Sequence, residues 1–182
     1  MDDESRQSLR ALVLTALLAG AAVAGGYTLM AVPNVEVVTA ILFIAGYAVG
    51  LGRGLIAAVT ASLIYFGLNP QGGSFPPLLA AQVLGMGAAP LAGSLMVRIS
   101  SSALRQRILL GSMGLIITLW YDIHTNLAFP FYAGMNAKGI AATLVLGIPF
   151  SAVHIASNVA IFMFLVPPLM KLLRRRRFPE AG

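Results

Sequence analysis

The sequence predicts an all-α integral membrane protein of six transmembrane helices, with both termini in the cytoplasm. Three observations lead there. The 182 residues are 58% hydrophobic and only 10% charged, at a mean hydropathy of +0.87, whereas an ordinary soluble domain carries about 25% charged residues. The apolar residues gather in six stretches, and a bilayer crossing needs about 20 helical residues. Those stretches run without interruption, as in Ile41-Leu42-Phe43-Ile44-Ala45, whereas the strands of a membrane barrel alternate apolar and polar residues. So few charges could not cover a soluble fold of this size. The composition therefore excludes a cytosolic globular enzyme, a nucleic-acid reader and a disordered linker. The net charge of +6 sits in short segments between the stretches and calls for no nucleic acid. With no cysteine, disulfides, thiolate catalysis and Cys-based metal sites are excluded.

The first span is Leu9 to Met30. Asp2, Asp3 and Glu4 precede it and no A-x-A site stands out in a polar context, so it reads as an anchor and not a signal peptide. Val35 to Gly50 and Leu55 to Leu68 are shorter and meet through the turn Gly50-Leu51-Gly52-Arg53-Gly54. Leu78 to Val97, Ile108 to Phe129 and Ala141 to Met170 complete the six. The chain divides into a cytoplasmic tail (residues 1–8), a membrane domain (residues 9–170) and a basic cytoplasmic tail (residues 171–182). With the N-terminus inside, Lys138 alone among the 12 Lys and Arg residues falls outside. That is the positive-inside pattern of a cell-membrane protein, and an odd number of spans would break it. The run Lys171-Leu172-Leu173-Arg174-Arg175-Arg176-Arg177 reads as an anchor on anionic lipid headgroups or as a docking site for an acidic partner.

Polar groups inside a bilayer need a reason, because one at the centre costs about 2.5–3.5 kcal/mol when charged. Here they converge on the outer side. Asn34 and Glu36 open the second span; Asn69, Gln71 and Ser74 follow the third; Gln82 lies one turn into the fourth. Trp120, Asp122, His124 and Asn126 occupy the outer half of the fifth. His154 and Asn158 on the sixth reach mid-depth, on one face with Phe150. At 100° per residue, Thr118, Asp122, Thr125 and Asn126 share a stripe, with Trp120 and His124 opposite. Such an arrangement describes an outward-facing pocket closed below. Each residue also has a structural alternative. Asp122 and His154 could bond helices together, with the Thr and Asn neighbours or a ligand donating to Asp122, and Glu36 could cap the second helix. The stretch Asn69-Pro70-Gln71-Gly72-Gly73-Ser74-Phe75-Pro76-Pro77 is too rich in Gly and Pro for helix; it is a connector or a lid. On the first span Ala16, Gly20 and Ala24 form a small-residue face that would admit a partner helix.

Taken in order, these segments resemble the substrate-binding S components of energy-coupling factor (ECF) vitamin transporters. The similar stretches are Pro33-Asn34-Val35-Glu36, the turn Gly50 to Gly54, Asn69-Pro70 through Pro76-Pro77 with Ala81-Gln82-Val83-Leu84-Gly85, Tyr121-Asp122-Ile123-His124-Thr125-Asn126-Leu127-Ala128, and His154-Ile155-Ala156-Ser157-Asn158. The resemblance covers nearly the whole chain. It implies six helices, capture of a vitamin-sized ligand from outside, and docking onto a separate coupling subunit driven by two ATPases. It also implies that Ala16, Gly20 and Ala24 face that subunit.

The residues themselves favour capture over chemistry. There is no P-loop, no HExxH or paired-His metal spacing and no GxSxG motif, so no cofactor and no catalytic residue is expected. The expected ligand is flat, neutral or cationic, near Trp120, Tyr121, Phe75 and Phe150, since Lys138 is the one basic residue on that side. The expected binding residues are Asn34, Glu36, Asn69, Gln71, Gln82, Trp120, Asp122, His124, Asn126, His154 and Asn158. Two other classes stay open: an intramembrane enzyme using Asp122, His124 and His154 on a lipid-soluble substrate, and a structural membrane protein.

Overall fold

A computed structural model describes residues 2–96 and 102–174. Their regular structure is helical throughout: α1 (Asp3–Leu29), α2 (Val38–Gly67), α3 (Pro76–Met96), α4 (Ala103–Tyr132), α5 (Ala137–Phe164) and the short α6 (Val166–Arg174). Among the described residues five helices are long and apolar enough to cross a membrane, the last as the run Ala137–Leu173. The chain is a helical, multi-pass membrane protein.

The first helix starts well before Leu9. Asp2 caps it by accepting a hydrogen bond from the Ser5 amide at 2.8 Å, and Asp3 and Glu4 suit the positive end of the helix dipole. Most of the expected N-terminal tail is thus an exposed extension of α1.

The two short stretches expected as separate spans form one helical segment, α2. It breaks at Gly50 alone, with φ 82° and ψ 171°, a conformation open to glycine and costly for other residues. The chain then doubles back. A Cβ built on Gly54 would lie 2.8 Å from the Cα of Gly46, where an unbroken helix would hold the two about 12 Å apart. At the other end of the pair, Val38 and Tyr65 both reach Gly26 of α1. The two arms of α2 therefore run side by side.

Small residues let α3 press into these arms. A Cβ on Gly93 would run into the Phe43 carbonyl, and one on Gly46 into the Pro90 carbonyl. Close backbone approach of this kind replaces the hydrophobic drive that lipid removes. Around the crossing, Leu42, Phe43, Ala45, Ala57 and Ala89 are fully buried. Phe43 meets Phe162 of α5 edge-on at 5.2 Å between centroids.

The fourth and fifth helices run antiparallel, in contact at Gly111 with Met163, Gly114 with Phe162, and Asn126 with Gly147. Over its first half α5 has few other neighbours, and Val145, Leu146, Ile148 and Phe150 stay exposed. The continuous span expected from Ala141 to Met170 is interrupted at Leu165, because Pro167 and Pro168 have no N–H to extend the ladder. The shorter α6 returns to the core through Val166 and Met170, both buried. One end of the bundle thus gathers the end of α1, both ends of α2, the start of α3, the end of α4 and the start of α5. Arg6, Arg10, Arg53, Arg105, Arg107 and Lys171 lie toward the opposite end. Arg98 and the Arg175-Arg176-Arg177 part of the basic tail lie outside the described residues.

The Gly93 contact makes a direct test. Gly93→Ala should cost about 1–3 kcal/mol through overpacking, seen as a lower melting temperature in detergent. Gly52→Ala, whose new methyl would meet nothing within 4 Å, should melt with the native chain. Equal melting of all three proteins would mean a crossing looser than this.

Candidate functional site

The connection between α1 and α2 does not stay at the mouth of the bundle. It dips inward, with Asn34 at φ 59° and its carbonyl accepting from the Ser157 hydroxyl of α5 at 2.9 Å. Irregular backbone at membrane depth is tolerated where protein surrounds it or a cavity borders it. The dip is possible because the first arm of α2, residues 38–49, is only about 18 Å long. It carries Glu36 down from the outer face, where the sequence suggested it, to the floor of a cavity.

That floor is a set of paired groups. His154 places Nδ1 2.7 Å from Asp122 Oδ1 and Nε2 3.6 Å from Glu36 Oε1. The first is a hydrogen bond; the second is an ion-pair distance. Asn158 donates its Nδ2 to Glu36 Oε1 at 3.0 Å, and the Thr39 amide donates to Glu36 Oε2 at 2.8 Å. Glu36 thus caps the first turn of α2, as the sequence allowed, and also joins the cluster. An imidazolium donates from both ring nitrogens, which suits a ring set between two carboxylates. Asp122 sits about 15 Å below the end of α4 and is 8% exposed. Its partner is His154. The hydroxyls of Thr118 and Thr125, expected as possible donors to it, donate to the Gly114 and Tyr121 carbonyls of their own helix.

Above this floor lies a cavity of about 300 Å³. Of the residues singled out in the sequence, Asn34, Glu36, Asn69, Gln71, Asp122, Asn126 and His154 border it. Asn158 is fully buried behind Glu36. Gln82 is buried on α3 and does not line the cavity. Trp120 and His124 face away from it. They stack on one another at 4.1 Å, and His124 bonds through Nδ1 to the Trp120 carbonyl. Phe150 borders the cavity, while Phe75 packs on Phe129 and Tyr132.

One wall is aromatic. Tyr65 and Phe66 meet at 4.8 Å, Phe66 and Tyr121 stack at 6.1 Å, and Tyr121 stands edge-on to His154 at 5.7 Å. Sequence reasoning missed Tyr65, Phe66 and Ser157. The signal for the first two was their place one turn before the Asn69-Pro70 loop, which brings them level with the cavity. That loop is held by local bonds: the Asn69 side-chain Oδ1 accepts from the Gln71 amide at 2.9 Å, and the Ser74 amide donates to the Phe66 carbonyl of α2 at 2.9 Å.

Among the described residues no grouping of three His, Cys, Asp or Glu side chains is arranged to hold a metal ion. The small-residue face of α1 lies elsewhere: Ala16, Gly20 and Ala24 are exposed, and nothing lies within 4 Å of a Cβ on Gly20. Fold and site together define a multi-pass helical membrane protein with a charged cavity floor and an aromatic wall. Compared with protein-family models, curated proteins and solved structures, the chain has no match in any of the three.

The two histidines separate structure from surface. His154→Ala leaves the buried Asp122 and the mostly buried Glu36 without their shared partner and should cost about 3–5 kcal/mol. His124→Ala, which lacks any such partner, should cost less than about 1 kcal/mol. Thermal unfolding of both variants in the same detergent checks this; a His154 variant as stable as the native chain would dismantle the cluster described above.

Proposed function

We propose that the chain is the substrate-binding membrane subunit of an uptake system for a vitamin or related small heterocyclic micronutrient. The observation that carries this reading is the cavity: it opens at one end of the bundle, lies opposite every described basic residue except Lys138, and is bordered by polar, aromatic and aliphatic side chains with no Lys or Arg among them. Its volume falls at the lower end of the range for small-molecule sites. In this reading the two arms of α2 count as separate crossings, which makes six, and both termini are cytoplasmic. The positive-inside rule then puts the cavity on the outside of the cell membrane. The Asn69 to Pro77 loop, two of whose residues border the cavity, acts as a lid over the captured ligand.

The chain carries no nucleotide-binding motif, so uptake needs an energy source elsewhere. Here the ECF resemblance supplies the proposal: a membrane coupling subunit with paired ATPases, docked against Ala16, Gly20 and Ala24. The basic tail rests on anionic lipid. No catalytic residue is assigned. The bonded Asp122–His154 pair is what an acid–base enzyme would use, but the nearby Ser157 hydroxyl donates to the backbone carbonyls of Asn34 and His154. It is not a nucleophile presented to the ring.

Two measurements test the reading. Protein purified in mild detergent should carry a small molecule, released on denaturation and identifiable by mass spectrometry, and should not convert it on prolonged incubation. Chemical turnover would favour the enzyme; neither binding nor turnover would favour a structural protein. Gly20→Leu should abolish uptake in cells while leaving ligand affinity of the isolated protein within about twofold, because the bulky side chain blocks close helix approach far from the cavity. Loss of affinity in a folded Gly20→Leu protein would remove the docking assignment.

A further inference from the structure

The charges around the cavity do not balance. Glu36 and Asp122 both border it, His154 is the one side chain there able to carry positive charge, and no Lys or Arg takes part. With both carboxylates ionised and the imidazole protonated, the floor holds one negative charge more than positive. The imbalance has a visible end. Both oxygens of Glu36 have partners within 3.0 Å, and Asp122 Oδ1 is bonded to His154. Asp122 Oδ2 is buried and, among the described residues, no donor reaches it. A buried carboxylate oxygen without a donor bears the desolvation cost and gains nothing in return.

The wall beside it supplies the second half of the argument. Tyr65, Phe66 and Tyr121 line the same cavity, with Phe66 in contact with each of the two tyrosines. Aromatic faces attract cations, more strongly when water is excluded. Two carboxylates below and three rings alongside form a surface complementary to positive charge spread over a flat group.

We propose that this cavity binds an organic cation, a planar ring bearing a delocalised charge and N–H donors, seated against the aromatic wall with its donors toward Asp122 and Glu36. The proposal rests on the uptake reading for the cavity being a ligand site, and it narrows the ligand class from heterocycles in general to cationic ones. A neutral ring would leave the floor's charge unmatched, and an anion would add to it.

The test uses three probes of one shape: benzamidine, a planar N–H-bearing cation; benzamide, its neutral counterpart; and benzoate, the anion. Affinities are measured on the full chain in detergent by ligand-observed NMR titration. Benzamidine should bind at least about tenfold more tightly than benzamide, and benzoate should not compete. In Asp122→Asn the first two should converge to within about threefold of one another. Should that variant fail to fold, the native chain still decides. Benzamidine, and not benzamide, should slow modification of Asp122 and Glu36 by a hydrophobic carbodiimide, mapped by mass spectrometry, with Asp3 and Glu4 as exposed controls.

Equal binding of benzamide and benzamidine, preferential binding of benzoate, no binding by any probe, or a preference that survives Asp122→Asn would each overturn the proposal. The uptake reading fails by a different result. A chain that keeps its benzamidine preference yet supports no uptake in cells retains the cation site and loses the transport role.

Discussion

The position of His154 between Asp122 and Glu36 is the interaction on which the pocket end of the molecule depends. Each of the three residues belongs to a different segment: α5, α4 and the connection before α2. At this depth each charged group is largely cut off from solvent, so removing one leaves the others with a desolvation cost and no partner. The pairing therefore fixes where three backbones sit relative to one another. Its effect is greatest for α5, whose first half leans mainly on α4 and presents Val145, Leu146, Ile148 and Phe150 outward. Apolar burial alone gives that stretch little to hold it in register. The hydrogen bond at 2.7 Å to Asp122 and the Asn158 bond at 3.0 Å to Glu36 supply what packing does not.

A second constraint makes the first possible. The bundle places charged groups at depth because the chain between α1 and α2 reaches down to meet them. It can do so because the first arm of α2 is short, and the arm is short because Gly50 reverses the chain early. The reversal needs glycine for its positive φ, and the packing of the returning arm needs Gly46 and Gly54 for their missing side chains. A turn at the far end thereby sets how deep the polar floor lies at the near end. Sequence-distant parts of the molecule are joined by geometry, with no direct contact between turn and floor.

Much of this was legible before any coordinates. Helical class followed from continuous apolar runs, and the polar stripe on α4 followed from the 3.6-residue period, with Trp120 and His124 turned away from it as the period requires. What the period could not convey is depth. Glu36 and Asn34 precede a helix, and the natural expectation puts such residues at the membrane surface; only the shortness of the following arm takes them inward. Nor could spacing reveal that Glu36, Asp122 and His154 meet, since the pairing depends on helix order around the bundle. Boundaries shifted for identifiable reasons: an Asp2 cap at the start, a single-residue break at Gly50, and the Pro167-Pro168 pair after Leu165. The aromatic wall was hidden because Tyr65 and Phe66 look like ordinary apolar positions near the end of a span.

The walls of the cavity differ in stiffness, and the difference follows from how each is packed. One side is built on α2 and α3, whose backbones touch at Gly46 and Gly93 and whose facing residues are fully buried. Regions with dense apolar contact open only at high free energy. The opposite side is the exposed half of α5, with Phe150 and Ser151 at the cavity and few neighbours behind them. A molecule that filled the cavity, against Phe66 and Met86 on the first side and Phe150 and Ser151 on the other, would touch both sides at once. It would add contacts to the wall that has fewest, and its binding energy would act chiefly on α5. Beyond the interruption at Leu165, α6 returns to the core through the buried Val166 and Met170, so the chain that follows α5 is anchored away from the cavity. The molecule thus has one densely packed side and one lightly held side, and the charged floor ties the two together.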